Sequence, residues 1–136
     1  MNEYLVEKFD NIEFDEEQTK MFATIVRYAM NVKTIKHENV TEAIFKEIIK
    51  NTYVQGRNEG VTGITKSELQ KMIKVFTKKK QGNGYIDSEG DLSRKMCDDA
   101  INVLLGASLI SNDGKIQATK RGLQVAVYLK KNKEDK

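Results

Sequence analysis

The sequence predicts a mainly α-helical fold with one short β-hairpin near its C-terminal end. Apolar residues recur at intervals of three and four in several stretches, the spacing of one helix face. Thr65-Lys66-Ser67-Glu68 has the form of a capping box, in which the Thr hydroxyl accepts an amide and the Glu reaches back. The stretch ISNDGKIQATKRG, residues 110–122, sets an Asp-Gly turn between two short runs and then begins a helix. The 136 residues include no proline, so glycine and capping residues supply the punctuation.

The elements follow in order. After a mixed arm over 1–14, Asp15 can cap a helix with Gln18 three residues on. Met21, Phe22, Ile25, Val26, Ala29 and Met30 carry its apolar face to about Lys33. TIKHEN breaks the pattern. A second helix spans about Val40 to Val54, with Ile44, Phe45, Ile48, Ile49 and Tyr53 on one face and Gln55-Gly56 at its end. GRNEGVTG is a loop, and Gly63-Ile64-Thr65 suits a short strand. A third helix starts at the capping box, lines Leu69, Met72, Ile73 and Phe76 on one face, and ends near Lys80. A polar, glycine-containing loop fills Lys79 to Asp91. A fourth helix begins at or just before Ser93 and reaches about Leu105, with Met96, Ala100, Val103 and Leu104 inward and Gly106 closing it. Leu109 and Ile110 lead into the hairpin, in which Ile110 and Ile116 face the core and Lys115 sits near the tip. A last helix covers about Lys120 to Lys131, and the tail after it frays.

This order resembles the winged helix-turn-helix family. GITKSELQKMI is similar to that family's first strand and second helix. LSRKMCDDAINVLLGASLIS resembles its recognition helix running into a strand, and NDGKIQATKRGLQVAVYL its wing and closing helix, with a T-x-x-G-L pattern at the junction. The resemblance covers about residues 40–130. It implies two segments: an N-terminal arm and helix over 1–39, a candidate dimerisation element, and a winged-helix domain with its C-terminal helix over 40–136. It also implies double-stranded DNA as partner. Two features depart from the pattern. A dozen residues stand where a turn of three or four is usual, and Asp98 and Asp99 put carboxylates on the helix that would meet phosphates.

Charge agrees with an anionic partner. Residues 1–60 hold 8 Lys/Arg against 11 Asp/Glu, and residues 61–136 hold 15 against 9. On the winged-helix expectation, Lys66, Lys115, Lys120 and Arg121 contact phosphates, while Ser93, Arg94, Lys95 and Asn102 face base edges from the first turns of the fourth helix. Lys120 and Arg121 oppose the dipole of the helix they open, which favours a functional reason for them. The run Lys78-Lys79-Lys80 reads either as a solvated helix end or as a phosphate contact. Small regulators of this kind pair as homodimers on two half-sites. A protein-interaction adaptor on the same fold is the rival, favoured by Asp98 and Asp99.

Catalysis, metal and cofactor have no support in the sequence. His37 is the only histidine and lies in a polar break. Cys97, the only cysteine, sits among apolar helical neighbours, and one His with one Cys does not build a zinc site. Gly82-Asn83-Gly84 lacks the Lys-Ser/Thr ending of a P-loop, and Asp87, Glu89 and Asp91 lack the closing Glu of a calcium loop. The acidic N-terminus lacks the apolar core of a secretion signal, no apolar run of membrane-spanning length occurs, and the lone cysteine suits a reducing compartment. A cytoplasmic protein without membrane contact is expected.

Overall fold

The computed structural model describes residues 16–52 and 63–134. Helix α1, Glu16–Tyr28, opens on two glutamates and carries Arg27 in its last turn, both charges matching the helix dipole. It stops five residues short of the expected end, and Asp15, its expected cap, lies outside the described residues. The TIKHEN break is an ordered loop. Lys33 bridges Asn39, His37 takes φ 68°, and Asn39 caps the next helix by accepting the Thr41 amide at 2.9 Å. The Asn39 side-chain amide also donates to the Met30 carbonyl, tying the end of α1 to the start of α2.

Helix α2, Val40–Lys50, is the central element, with Ile44, Phe45 and Ile48 at or below 1% exposure. The Thr52 hydroxyl caps its end by donating to the Ile48 carbonyl at 2.7 Å, and also accepts the Ala118 amide at 2.8 Å. The expected extension through Tyr53 and Val54, with the Gln55-Gly56 stop, falls outside the described residues.

Beyond Gly63 the structure departs from expectation. The capping box is present: Glu68 N–H donates to the Thr65 hydroxyl at 3.2 Å, and the Thr65 amide donates to the Glu68 carboxylate at 3.1 Å. Yet α3 spans only Lys66–Met72. The chain then forms strands β1, Lys74–Gln81, and β2, Gly84–Asp91, an antiparallel ribbon in unbroken register from Lys74↔Asp91 to Gln81↔Gly84. The third helix therefore does not reach Lys80, and Lys79 to Asp91 is not a loop. Val75-Phe76-Thr77 is rich in strand-forming types, and Lys74 meets the opposite charge of Asp91 across the ladder. Gly82 takes φ 61° at the first position of the two-residue turn, the sign a type II′ hairpin requires.

Helix α4, Arg94–Gly106, begins at an N-cap, Ser93, whose hydroxyl accepts the Met96 amide at 3.1 Å. Its end is set by Ser108, not Gly106. Ser108 takes φ 60°, its amide donates to the Leu105 carbonyl at 2.9 Å, and the Leu109 amide donates to the Leu104 carbonyl at 3.0 Å, the two bonds of a Schellman motif. The expected hairpin follows as β3, Ile110–Asn112, and β4, Ile116–Ala118, with Gly114 at φ 91° in the turn and Ile110 and Ile116 both buried. The expected strand at 63–65 is a single bridge, Ile64 to Ile116.

Helix α5, Lys120–Glu134, is longer than expected and includes most of the tail that was expected to fray. Thr119 caps it: its hydroxyl accepts the Gly122 amide at 3.1 Å and donates to the Ser108 carbonyl at 2.6 Å. That is the physical content of the T-x-x-G-L pattern. Helices α1 and α5 pack together, and Ala23 and Val26 share one core with Phe45, Leu104, Ile116 and Leu123. The described part of segment 1–39 is thus continuous with the core of segment 40–136.

Candidate nucleic-acid interface

The expected site residues divide into two groups. Leu92, buried at 1% exposure, anchors the entry to α4, and the Gln70 side-chain amide donates to its carbonyl at 3.3 Å. Ser93 follows as the cap, and Arg94 and Lys95 emerge exposed on the first turn. Asn102 is exposed two turns further along. Lys66 reaches across from α3 to Asp98 at 2.9 Å, and Lys95 meets Asp99 one turn on at 3.7 Å. Both carboxylates that disfavoured a phosphate-facing helix are therefore paired to cations of the same surface.

The C-terminal hairpin joins this surface through Ile64. The Ile64 amide donates to the Ile116 carbonyl at 3.0 Å, and the Ile116 amide donates back at 2.8 Å. This pairing draws Lys115 beside the start of α3. The close approach requires Gly63, at φ 111°, because a Cβ there would lie 2.7 Å from the Ile116 carbonyl oxygen. The Thr65 amide and hydroxyl, and then the charges of Lys115 and Lys71, hold the Glu68 carboxyl below its ordinary pKa. Lys66, Arg94, Lys95 and Lys115 thus collect around the first turns of α3 and α4.

Lys120 and Arg121 lie elsewhere. Thr119 and Arg121 donate to the Ser108 and Ala107 carbonyls just past the end of α4, so the start of α5 sits at the opposite end of that helix, roughly 20 Å from Ser93 by helix rise. Lys120 is exposed there. Arg121 is only partly exposed: its guanidinium donates to the Ala107 carbonyl at 3.1 Å and stacks 4.8 Å over the Phe22 ring. The local dipole cost of a cation at the start of α5 is met by the negative end of α4 and by the aromatic face. Arg121 is thereby tied to the chain just past α4 and to α1.

His37 is exposed, its ring 5.3 Å from that of Phe76. Cys97 is buried, and burial together with the Asp98 charge pushes its thiol up to about 11. No group of three or more His, Cys, Asp or Glu among the described residues is placed to hold a metal ion. A cleft of about 420 Å³ between α2 and the 34–38 loop is lined by Lys46, Glu38, Glu47 and Lys50, which pair with acids or bases at its wall. No described helix is long and apolar enough to cross a membrane. Sequence reasoning missed the β1–β2 ribbon between α3 and α4; the Gly82-Asn83 dipeptide, with Val75-Phe76-Thr77 before it and Tyr85-Ile86 after it, was its signal. No family model, curated protein or solved structure matches this chain.

Proposed function

We propose that this chain is a double-stranded-DNA-binding protein, a winged-helix variant that serves as a small transcriptional regulator or as a plasmid- or phage-type DNA-organising protein. One observation supports the reading: the Ile64–Ile116 pairing sets the Lys115 hairpin beside the start of α3, and Lys66 from the same turn reaches Asp98 on the helix that carries Arg94 and Lys95. In this reading the first turn of α4 enters the major groove, Arg94 and Asn102 address base edges, and Lys66 and Lys115 hold phosphates on either side. Ser93 acts as the cap that fixes the angle of that turn. Lys120 touches the backbone only if the duplex follows the full length of α4. The role is cytoplasmic and non-enzymatic and requires no cofactor.

A homodimer on a two-fold site would pair copies through Met21 and Tyr28, which lie seven residues apart on α1 and remain 53% and 71% exposed after α5 has covered its other face. Light scattering at micromolar concentration checks this, and a mass of only 15.5 kDa refutes it. The second reading, a protein-interaction adaptor, draws on Met72, 55% exposed beside the ribbon root, and on the carboxylates of α4.

Duplex titration at two salt concentrations separates the two readings. Lys115→Ala should weaken binding about equally on all sequences and lower the salt slope by roughly one unit. Arg94→Ala should cost about 1–3 kcal/mol on the preferred site and less on random duplex. Parental binding by both variants would remove this surface from the DNA. No salt-sensitive binding by the parent would favour the adaptor.

A further inference from the structure

The β1–β2 ribbon stands where the reading above would place only a short turn. Its root is fixed. The Ile35 amide donates to the Lys74 carbonyl at 3.1 Å, the Phe76 amide donates to the Lys33 carbonyl at 3.4 Å, and Ile73, Val75 and Leu92 are buried. Past Phe76 the strands pair with each other as far as the turn. Gln81, Gly82, Asn83 and Gly84 are exposed, and a Cβ at Gly82 or Gly84 would meet nothing within 4 Å. Eight-residue strands reach about 26 Å. Five residues of β1, Thr77–Gln81, lie past the fixed root, so the arm extends about 16 Å beyond it, and Leu92 and Ser93 link β2 to the first turn of α4.

Charge is sorted along the arm. In the proximal half each acid of β2 stands opposite a β1 residue in register: Asp91 with Lys74, Glu89 with Phe76, Asp87 with Lys78. Lys74 and Asp91 form an ion pair. Distal to Asp87 there is no carboxylate. In register, Lys79 and Lys80 stand opposite Ile86 and Tyr85, neither of them an acid. The proximal half holds two lysines against three acids, while the distal half holds two lysines and no acid. A hairpin needed only to connect α3 to α4 requires neither this length nor this segregation.

We infer that the arm is a second DNA contact, in which Lys79 and Lys80 at the tip hold the phosphate backbone of duplex flanking the site occupied by α4. The inference rests on the DNA-binding reading. An extension of about 16 Å past the root corresponds to about five phosphate spacings along one strand, enough to reach backbone flanking the segment that a groove-bound α4 occupies.

The test compares three full-length proteins on duplexes of about 12 and about 24 base pairs: the parent, the double variant Lys79→Gln with Lys80→Gln, and a variant in which Lys78–Asp87 is replaced by Asn-Gly, which leaves Thr77 paired with Ser88 across a two-residue turn. Far-UV circular dichroism verifies that both variants fold. The parent should prefer the longer duplex by on the order of tenfold, with a salt slope steeper by about 1.8 units than either variant, from two phosphate contacts. Both variants should lose that preference, and hydroxyl-radical protection should shrink on one flank while the central footprint stays. Parental slope and footprint in the variants would overturn the arm contact and leave the DNA-binding reading standing. Equal loss on both duplexes would overturn it too, since the tip would then act within the central site. A parent without salt-sensitive binding to either duplex would overturn both.

Discussion

Gly122 in the first turn of α5 provides a test in which two physical effects have opposite signs. Helix propensity favours Gly122→Ala by about 1 kcal/mol. Packing opposes it. A Cβ at this position would overlap the Leu109 carbonyl oxygen, lie 3.0 Å from the Leu109 carbonyl carbon and 3.5 Å from the Ala118 Cβ. The obstructing atoms are backbone, and the same carbonyl accepts the Thr119 amide at 3.0 Å, so it cannot retreat without loosening the cap of α5. Overpacking against a fixed neighbour costs up to about 3 kcal/mol. The net expectation is destabilisation by about 2 kcal/mol. With an unfolding entropy of about 2.1 cal/mol/K per residue, that lowers Tm by about 7 °C for a chain of this size. Thermal melts followed at 222 nm, with urea titration as a second measure, decide the matter. An unchanged or raised Tm would mean that α5 does not press on Leu109 and that the account of the T-x-x-G-L junction is wrong.

Ser108→Gly should act in the opposite direction. It relieves a non-glycine left-handed residue worth about 1–2 kcal/mol, offset by glycine's larger unfolded-state entropy, for a net gain of about 0.5–1 kcal/mol in urea unfolding. Cys97 should resist iodoacetamide at pH 8 until the chain is unfolded, because a thiol at about 11 is ionised there only to the order of 0.1%. Its folded pKa is raised, so its contribution to stability is complete below about pH 9 and is lost as pH rises towards 11; Cys97→Ala should flatten that part of the Tm profile. Asp98→Asn releases Lys66 from its ion pair and should strengthen non-specific duplex binding, measured by anisotropy at low salt, with under about 1 kcal/mol change in stability. Unchanged affinity would place that pair away from the DNA.

The parts of the fold legible in the sequence are those set by local chemistry. The Asp113-Gly114 turn, the Thr65–Glu68 box and the Ser93 cap each require particular residue types within a few positions, and each is present. The end of α3 was illegible by period alone. Leu69, Met72, Ile73 and Phe76 fit a helical face, but Ile73 and Val75 are buried as alternate positions of an extended chain, and Phe76 is exposed. The alternation of Asp87, Glu89 and Asp91, which faintly resembled a calcium loop, is strand periodicity with each acid in register with a residue of β1. The partners of Arg121 were illegible because they are a carbonyl fourteen positions back and a ring on α1, and no local pattern encodes either. At the candidate site the residue types were readable, but the pairing of Lys66 with Asp98 depends on how α3 crosses α4.

The double duty of the Thr52 hydroxyl bears on how the chain folds. Its bond to Ala118 joins residues 66 positions apart, and the Ile64–Ile116 pairing spans a similar separation. Until those late residues arrive, the buried side of α2 has no cover from the hairpin or from α5, and the loop entropy of bringing them back must be met before any contact rewards it. A chain ending before β4 lacks Ile116, Leu123, Val125, Ala126 and Leu129 of the core. Refolding from urea should therefore be a single cooperative phase in the millisecond-to-second range typical of mixed domains rich in non-local contacts. Fragments ending before residue 116 should remain without fixed tertiary packing.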